Sequence, residues 1–514
     1  MSDETGWRTL HRRVPLGEAV MSLAVVVPAV TGLTRFMLGE DFSPALTAAA
    51  GAGATALIIG AALCHGMIRL RSTRFRLTGE RLELVSGTMV REHRSIPRDR
   101  VRSVDLKADP VRRALGLAVL KVGTGEHASG GKAELTLDAI AVREAEALRR
   151  TLLNQPAREE PEEPLARLRW AWIRYAPLTV WTFVGGALVV GVASRALKAL
   201  GVEVFETRAA AQAWDWFTGA LWLTIPLLVL ANVLVGLAGA AAVYAQTWGR
   251  YRLEQEPGTL RIRRGLLTTR SLTLRESRLR GVQVAEPLLL RFGGGARVKV
   301  VAGGLRKDKD DESEDKAALT PPLPAAEAHR IAAAILREHA LPLGDLRPHP
   351  RAARTRRLRS AALTVAVLAA ALGATGALTA WIPGWAYAVP VAVLPVALWF
   401  AADGARGLGH LLGERHLVTR SGSAVRRTVA LDRSGIVGWT ITESYFQRRL
   451  GLLTVSATTG AGDGHYDVLD VGRADGLDLA ARAVPGLLGP FLVGAAEAVP
   501  ARASGDRIPQ RSPN

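Results

Sequence analysis

The chain has 514 residues, with 66 Lys and Arg against 47 Asp and Glu and a formal net charge of +19. That length is too great for a single hydrophobic core, and a positive mean hydropathy in a chain that is 22% charged divides it into long apolar runs and charged segments, which excludes a plain soluble globular protein. Arginine clusters lie directly beside the apolar runs, so the basic excess points to an anionic membrane rather than to nucleic acid. Cys64 is the only cysteine, so no intrachain disulfide can form.

In chain order, residues 14–69 hold two apolar stretches, 16–38 and 44–68, each long enough for the about 20 apolar residues a membrane helix needs. The first reads as a retained helix rather than a cleaved leader. Residues 70–155 form a strand-rich module: Phe75, Leu77, Leu82 and Leu84 lie in short runs broken by Gly79 and Gly87. Further strands are predicted at 117–122 and 134–137, then an amphipathic helix at 142–153. An acidic linker and juxtamembrane segment, 156–169, leads to a second apolar pair within 170–247, with spans at 173–192 and 216–244.

A second module covers 248–340. Its predicted strands are 251–254, 259–263, 271–274 and 297–301; a charged insertion occupies 306–316, and a helix closes it at 325–336. A basic linker, 341–359, precedes a third pair within 360–403, with spans at 360–382 and 385–402. The third module, 404–491, has strand patterns at 416–419, 425–430, 436–442 and 452–457 and a helix at 475–483. The tail, 492–514, reads as disordered. The expectation is a multidomain membrane protein: six transmembrane helices in three hairpins, alternating with three sheet modules that each end in a helix.

Arg8, Arg12 and Arg13 precede the first span, and Arg69, Arg71 and Arg74 follow the second; the other pairs repeat the pattern. By the positive-inside rule both termini and all three modules are cytoplasmic, in the inner (cytoplasmic) membrane. Trp170, Trp172, Trp216, Trp248, Trp381 and Trp385 lie near span ends and read as interfacial anchors.

No reactive constellation appears. The histidines show no HExxH spacing, no glycine-rich loop ends in the lysine-serine of a phosphate loop, and no nucleophile elbow is present. The expectation is no cofactor, no metal and no enzymatic activity. The arginines nearest the spans and turns, Arg69, Arg71, Arg74, Arg112, Arg113, Arg291, Arg354, Arg356, Arg357, Arg448 and Arg449, are candidate contacts to anionic lipid; simple solvation beside an anionic leaflet is the alternative.

The modules share a signature. The first reads FRLTGERLELVSGTMV, IPRDRVRSVD and DPVRRALGLAVLKVGTG; the second has Phe292–Gly293 at the strand entry and lacks the proline after Leu274; the third has Ser434–Gly435 in the turn. Nearly the whole chain resembles the bacterial membrane-associated pleckstrin-homology-like family (domain of unknown function 304, bacterial PH type 2) in its long, three-copy YdbT-like architecture. The resemblance implies PH-like β-sandwich or split-barrel modules, each with a C-terminal helix. It also implies a loose link with envelope stress and antimicrobial-peptide resistance, and a shorter family member as a partner. The function expected is a membrane scaffold or adaptor whose modules mediate protein assembly and contact an anionic inner leaflet. The alternative is a transport component using the six-helix region.

Overall fold

The computed structural model describes residues 6–87, 90–124, 134–153, 164–179, 221–303, 317–338, 345–379 and 382–487, with a few positions between 182 and 219. The acidic linker up to 163, the charged insertion, the tail, Trp216 and Trp381 lie outside the described residues. The chain forms two compact bodies: residues 1–342 with 424–427, and 343–423 with 428–514.

Five described helices are long and apolar enough to cross a membrane, starting or ending at Val14–Gly39, Pro44–Ser72, Leu221–Trp248, Arg351–Leu378 and Gly384–Arg406. In the first body, α1 (Val14–Gly39) and α2 (Pro44–Ser72) pack as a hairpin. Ser43 caps α2 by accepting the Leu46 N–H, and Pro44 occupies the first helical turn, where no intrahelical donor is lost. A Cβ on Gly66 would meet Pro15 Cα at 2.6 Å, so the two backbones cross at a distance only glycine permits.

The first module has two sheets. Strands β1 (Arg8–Thr9), β2 (Arg74–Leu77), β3 (Arg81–Ser86) and β4 (Glu92–Pro97) form an antiparallel four-stranded sheet. After a 3-10 turn at Arg98–Arg100, β5 (Ser103–Ala108) leads through the short helix α3 (Pro110–Ala114) into β6 (Leu117–Gly123) and β7 (Glu134–Ala141). Helix α4 (Val142–Leu152) closes the module and buries Ala145, Leu148 and Leu152 among Phe75, Leu82, Leu120 and Leu137. The apolar spacing along α4 puts these side chains on one face, and their burial drives the docking.

The second module repeats this order: β8 (Ala166–Arg167), β9 (Arg252–Glu256), β10 (Thr259–Arg264) and β11 (Thr269–Arg275), a 3-10 turn, then β12 (Leu279–Pro287), β13 (Gly295–Ala302) and β14 (Leu323–Pro324). Between β9 and what precedes it stands α5 (Leu221–Trp248); α6 (Leu288–Phe292) links β12 to β13, and α7 (Ala325–Leu336) ends the module. The two modules are stitched edge to edge. One seven-stranded sheet runs β7-β6-β5-β11-β10-β9-β8, with β5 and β11 antiparallel and Lys107 opposite Arg270. Pairing satisfies the exposed backbone of two edge strands at once.

The structure departs from expectation at the middle apolar pair. A span was predicted from Ile173, but Trp170–Tyr175 is a 3-10 helix, with Trp172 and Tyr175 buried in the second module's core beside Leu290, Leu323 and Trp248. The aromatics have a protein pocket to fill, so the segment packs there instead of entering lipid. The remainder of that span lies mostly outside the described residues, and the described part of the middle pair supplies one long helix, α5. Trp172 and Trp248 are therefore core residues rather than interfacial anchors; Trp170 and Trp385 are exposed.

In the second body, α8 (Arg351–Leu378) and α9 (Ala388–Arg406) form a hairpin. Helix α8 starts at Arg351 rather than at 360, because RAARTRRLR is rich in strong helix formers and directly follows Pro350. Strands β15 (Gly409–Leu412), β16 (His416–Ser421) and β17 (Val425–Asp432, in this body from Thr428 on) lie side by side. A three-stranded sheet follows: β18 (Ile436–Thr442), β19 (Leu452–Thr459) and β20 (His465–Gly472), with α10 (Tyr445–Arg449) between the first two and α11 (Arg473–Ala483) at the end. Ser444 and Gln447 make a reciprocal capping box on α10.

A candidate anion-binding cavity on the shared sheet

The last strand of the first and third modules carries the same irregularity. The pairing shifts register between Ala118 and Leu120 in one and between Leu453 and Val455 in the other, and the opposed strand holds a non-glycine residue at positive φ, Ala139 at 59° and Asp470 at 56°. Such a bulge re-aims side chains. In the first module it presents Asp138, which accepts Arg69 Nη2 at 2.7 Å, while Arg69 Nη1 reaches Glu18 of α1 at 2.6 Å. In the third it presents Asp470, fully buried, which accepts Arg356 Nη2 at 2.6 Å and Arg357 Nε at 3.0 Å from α8, and Gln447 Nε2 at 2.9 Å. Burial works against the Asp470 charge, but Arg356 and Gln447 hold its carboxyl below the usual carboxylate range. Each latch ties a helix end to its sheet.

Beside the first latch, the shared sheet opens a cavity of about 530 Å³. The registers explain its lining. Because side chains alternate along a strand, Lys107 of β5, Lys121 of β6, Arg264 of β10 and Arg270 of β11 project from one face, with Lys107 opposite Arg270 and Arg270 opposite Arg264. Arg112 of α3 and Asp138 of β7 line one side; Gln246 and Thr247, in the last turn of α5, line another. The cavity therefore lies at the ends of α2 and α5, where those helices leave the apolar stretch.

Its charges divide into held and available groups. Arg270 forms a buried bidentate pair with Asp105, Nη2 to Oδ2 at 2.7 Å and Nε to both oxygens at 3.1 Å. Arg264 lies over the Trp248 ring at 4.6 Å. Arg112 donates to Asp109 at 2.8 Å and lies 3.3 Å from Asp138. The ammonium groups of Lys107 and Lys121, by contrast, have no hydrogen-bond or carboxylate partner among the described residues. Five basic side chains face two carboxylates, Asp109 and Asp138, in this lining. A broader basic groove of about 1330 Å³ is lined by Arg143 and Arg150 of α4 and by Arg252 and Arg263 of β9 and β10.

A second charged network, beneath α4, holds the modules together. Arg149, 2% exposed, donates to Glu146 at 3.0 Å, to Glu256 at 3.4 Å and to Thr273 at 3.3 Å, and Arg261 reaches Glu146 at 2.7 Å. Burial opposes the Glu146 charge, yet Arg261 and Arg149 hold its carboxyl below the usual range. Arg275 crosses the same seam to donate to the Leu152 carbonyl at 2.9 Å.

Of the arginines read from the sequence, Arg69 and Arg112 meet at Asp138, and Arg113 donates to the Leu266 carbonyl at 3.0 Å. Arg356 and Arg357 meet at Asp470. Arg71, Arg74, Arg354 and Arg448 are exposed, Arg449 lies over Tyr445 at 4.8 Å, and Arg291 is half-buried on α6. Sequence reasoning missed Lys107 and Lys121. Their signal was a lone lysine inside an apolar strand, as in LAVLKVG. Among the described residues no group of three or more His, Cys, Asp or Glu is placed to hold a metal ion.

A search of known proteins gives a curated relative, the UPF0699 transmembrane protein YdbT of Bacillus subtilis (strain 168), 22% identical over 431 residues that cover 80% of this chain and 84% of the relative. No solved structure gives a significant match. The profile of the family described as Bacterial PH domain matches three successive regions, 22–156, 198–339 and 360–482, each reaching from apolar helix into sheet module. With most of its length matched in three repeats, and with apolar helices leading into antiparallel sheets, this chain belongs to the Bacterial PH domain family and is a membrane protein built from three copies.

Proposed function

We propose that the chain is a non-enzymatic scaffold of the inner (cytoplasmic) membrane, with its termini and modules on the cytoplasmic side. Its modules assemble with membrane-protein partners, a shorter family member among them, and take an anionic lipid phosphate in the cavity on the shared sheet. The observation that carries this reading is the pair of lysines, Lys107 and Lys121, that face a cavity at the ends of α2 and α5 and have no partner among the described residues. Ammonium groups there meet the phosphate level of a leaflet, and each contributes about 1 kcal/mol toward an anionic surface. The exposed arginines flanking the spans add the same sign of charge. A contact of this kind fits a role in envelope stress and antimicrobial-peptide resistance, processes that act on anionic lipid.

The transport reading gains no support from the helices. Glu18, the carboxylate at the start of α1, is occupied by Arg69 and serves the latch. The spans are otherwise dominated by Ala, Gly, Val and Leu.

The test uses the full chain in a neutral detergent, titrated with phosphatidylglycerol, phosphatidylcholine or inorganic phosphate while its melting temperature is followed. Phosphatidylglycerol is expected to raise the melting temperature. In the double variant K107Q/K121Q its affinity is expected to drop by about 2 kcal/mol, or roughly 30-fold. A response to inorganic phosphate equal to that for phosphatidylglycerol would identify a free anion as the ligand. Equal shifts with phosphatidylcholine, or an unchanged response in the double variant, would remove the cavity from the function.

A further inference from the structure

The seam between the first two modules joins two defined edges. One is the last strand before the 3-10 turn of the second module, β11; the other is the first strand after that turn in the first module, β5. Among the described residues, strands β4 and β18 are edges of these two kinds that end their sheets. Strand β4 is the last strand before the turn in the first module, and it terminates its four-stranded sheet. Strand β18 is the first strand after the turn in the third module, and it terminates its three-stranded sheet. We propose that β18 of one chain pairs antiparallel with β4 of a second copy, repeating between molecules the seam that β5 and β11 make within one.

The elements around the edges correspond closely. Strand β5 is followed by a short helix capped by Asp109 and by Gly116 at φ 73°; β18 is followed by a short helix capped by Ser444 and by Gly451 at φ 64°. Arg81 opposes Pro97 where Thr259 opposes Arg275. Transferring the known seam, in which Leu274 opposes Ser103 and Thr273 opposes Val104, sets Ile96 against Gly438, Ser95 against Trp439, and Arg94 against Thr440.

Two observations on β18 favour this occupant. Val437 is 66% exposed although it belongs to an apolar strand, so an apolar edge residue stands uncovered. The Trp439 indole Nε1 is buried without a hydrogen-bond acceptor among the described residues. The transferred register sets Ser95 opposite Trp439, as Thr273 lies opposite Val104 in the existing seam, which brings a hydroxyl-bearing residue to the strand position beside it. In that seam Arg275 N donates to the Arg102 carbonyl, so alternation makes Ser95 with Trp439 and His93 with Ile441 the hydrogen-bonded pairs. Pro97 cannot donate at the position of Arg275, which limits pairing to the length of β4 and blocks slippage past it. The contact is heterologous: each added copy leaves one β4 and one β18 open, so rings or linear arrays follow. The proposal needs β4 and β18 on the same side of the membrane, as the scaffold reading places them.

The single cysteine makes the test clean. In a Cys64→Ala background, one tagged copy carries Arg94→Cys and a differently tagged copy carries Thr440→Cys. The two are co-expressed, and native membranes are oxidised. A non-hydrogen-bonded pair brings Cα atoms to about 4.5 Å, within the about 4.4–6.8 Å that a disulfide spans. A doubly tagged disulfide dimer is expected, and a ladder of higher species when both cysteines are on one chain. Adding Ser95→Pro removes an outward amide and is expected to abolish the product while leaving the melting temperature unchanged. Absence of the doubly tagged dimer, a cross-link confined within single chains, or an undiminished product with Ser95→Pro would overturn the proposal. Accessibility of both cysteines to an impermeant thiol reagent in intact and opened cells reports the side of each edge, so a failure of the same-side placement is read separately.

Discussion

The first and third modules use the same bulged last strand to catch arginines from a membrane helix, and they use it differently. Asp470 is sealed and accepts hydrogen bonds from Arg356, Arg357 and Gln447. Asp138 is partly open, shares Arg69 with Glu18, and forms one wall of a cavity whose two lysines have no partner among the described residues. A carboxylate one residue away on a bulge thus changes from a structural pin into part of a charged surface. Copies of one fold diverge in what their charges are left to do.

Removing the sealed pin has the largest expected effect. Asp470→Ala leaves two guanidinium groups and an amide without their acceptor, and breaking such a buried pair costs about 3–5 kcal/mol. Thermal unfolding of the full chain should show an early transition, which Arg356→Ala alone reproduces only in part. Next comes acid. His349 and His410 contact each other at 3.0 Å, and burial, then the His349 charge, pushes His410 down to about 4. The unfolded histidine takes its proton near 6.5, so the native state loses stability as pH falls from about 6.5 to 4 and keeps it above that window. A loss on the order of 2 kcal/mol is expected across that range, flattened in His410→Gln; a melting temperature independent of pH between 7 and 5 would contradict it.

Asp138→Asn tests the open latch. Its carboxylate is partly solvated, so the stability loss should be about 1 kcal/mol, while removal of a negative wall should tighten phosphatidylglycerol binding. Opposite signs for stability and affinity in one variant would separate the two roles. The smallest effect on folding belongs to K107Q/K121Q, within about 0.5 kcal/mol of the parent, since neither ammonium has a partner to lose among the described residues. A large loss of stability in that variant would make the lysines structural.

Much of the fold was legible in local pattern. The helix at 325–336 and the strand at 436–442 coincide with the observed elements, because their periodicity and flanking turns agree. Strand β12 was missed: Arg280, Gly281 and Gln283 interrupt its apolar alternation, although its centre, Gly281–Ala285, is buried. Trp172 was misplaced because an aromatic beside arginines fits a membrane interface as well as a core. The arginines of α2 and α8 were visible as a basic cluster, but the acceptors Asp138 and Asp470 lie 69 and 114 positions from Arg69 and Arg356.

The sequence by itself determined the membrane character, the repeat of three and the alternation of apolar helix with sheet, because hydropathy and periodicity are local and depend only on neighbouring residues. Only the tertiary structure decided which charges are spent. Asp105 meets Arg270 across 165 positions, and Lys107 faces a cavity rather than a carboxylate, because two edge strands found a common register. That pairing is set by the packing of both modules and leaves no mark in either strand alone.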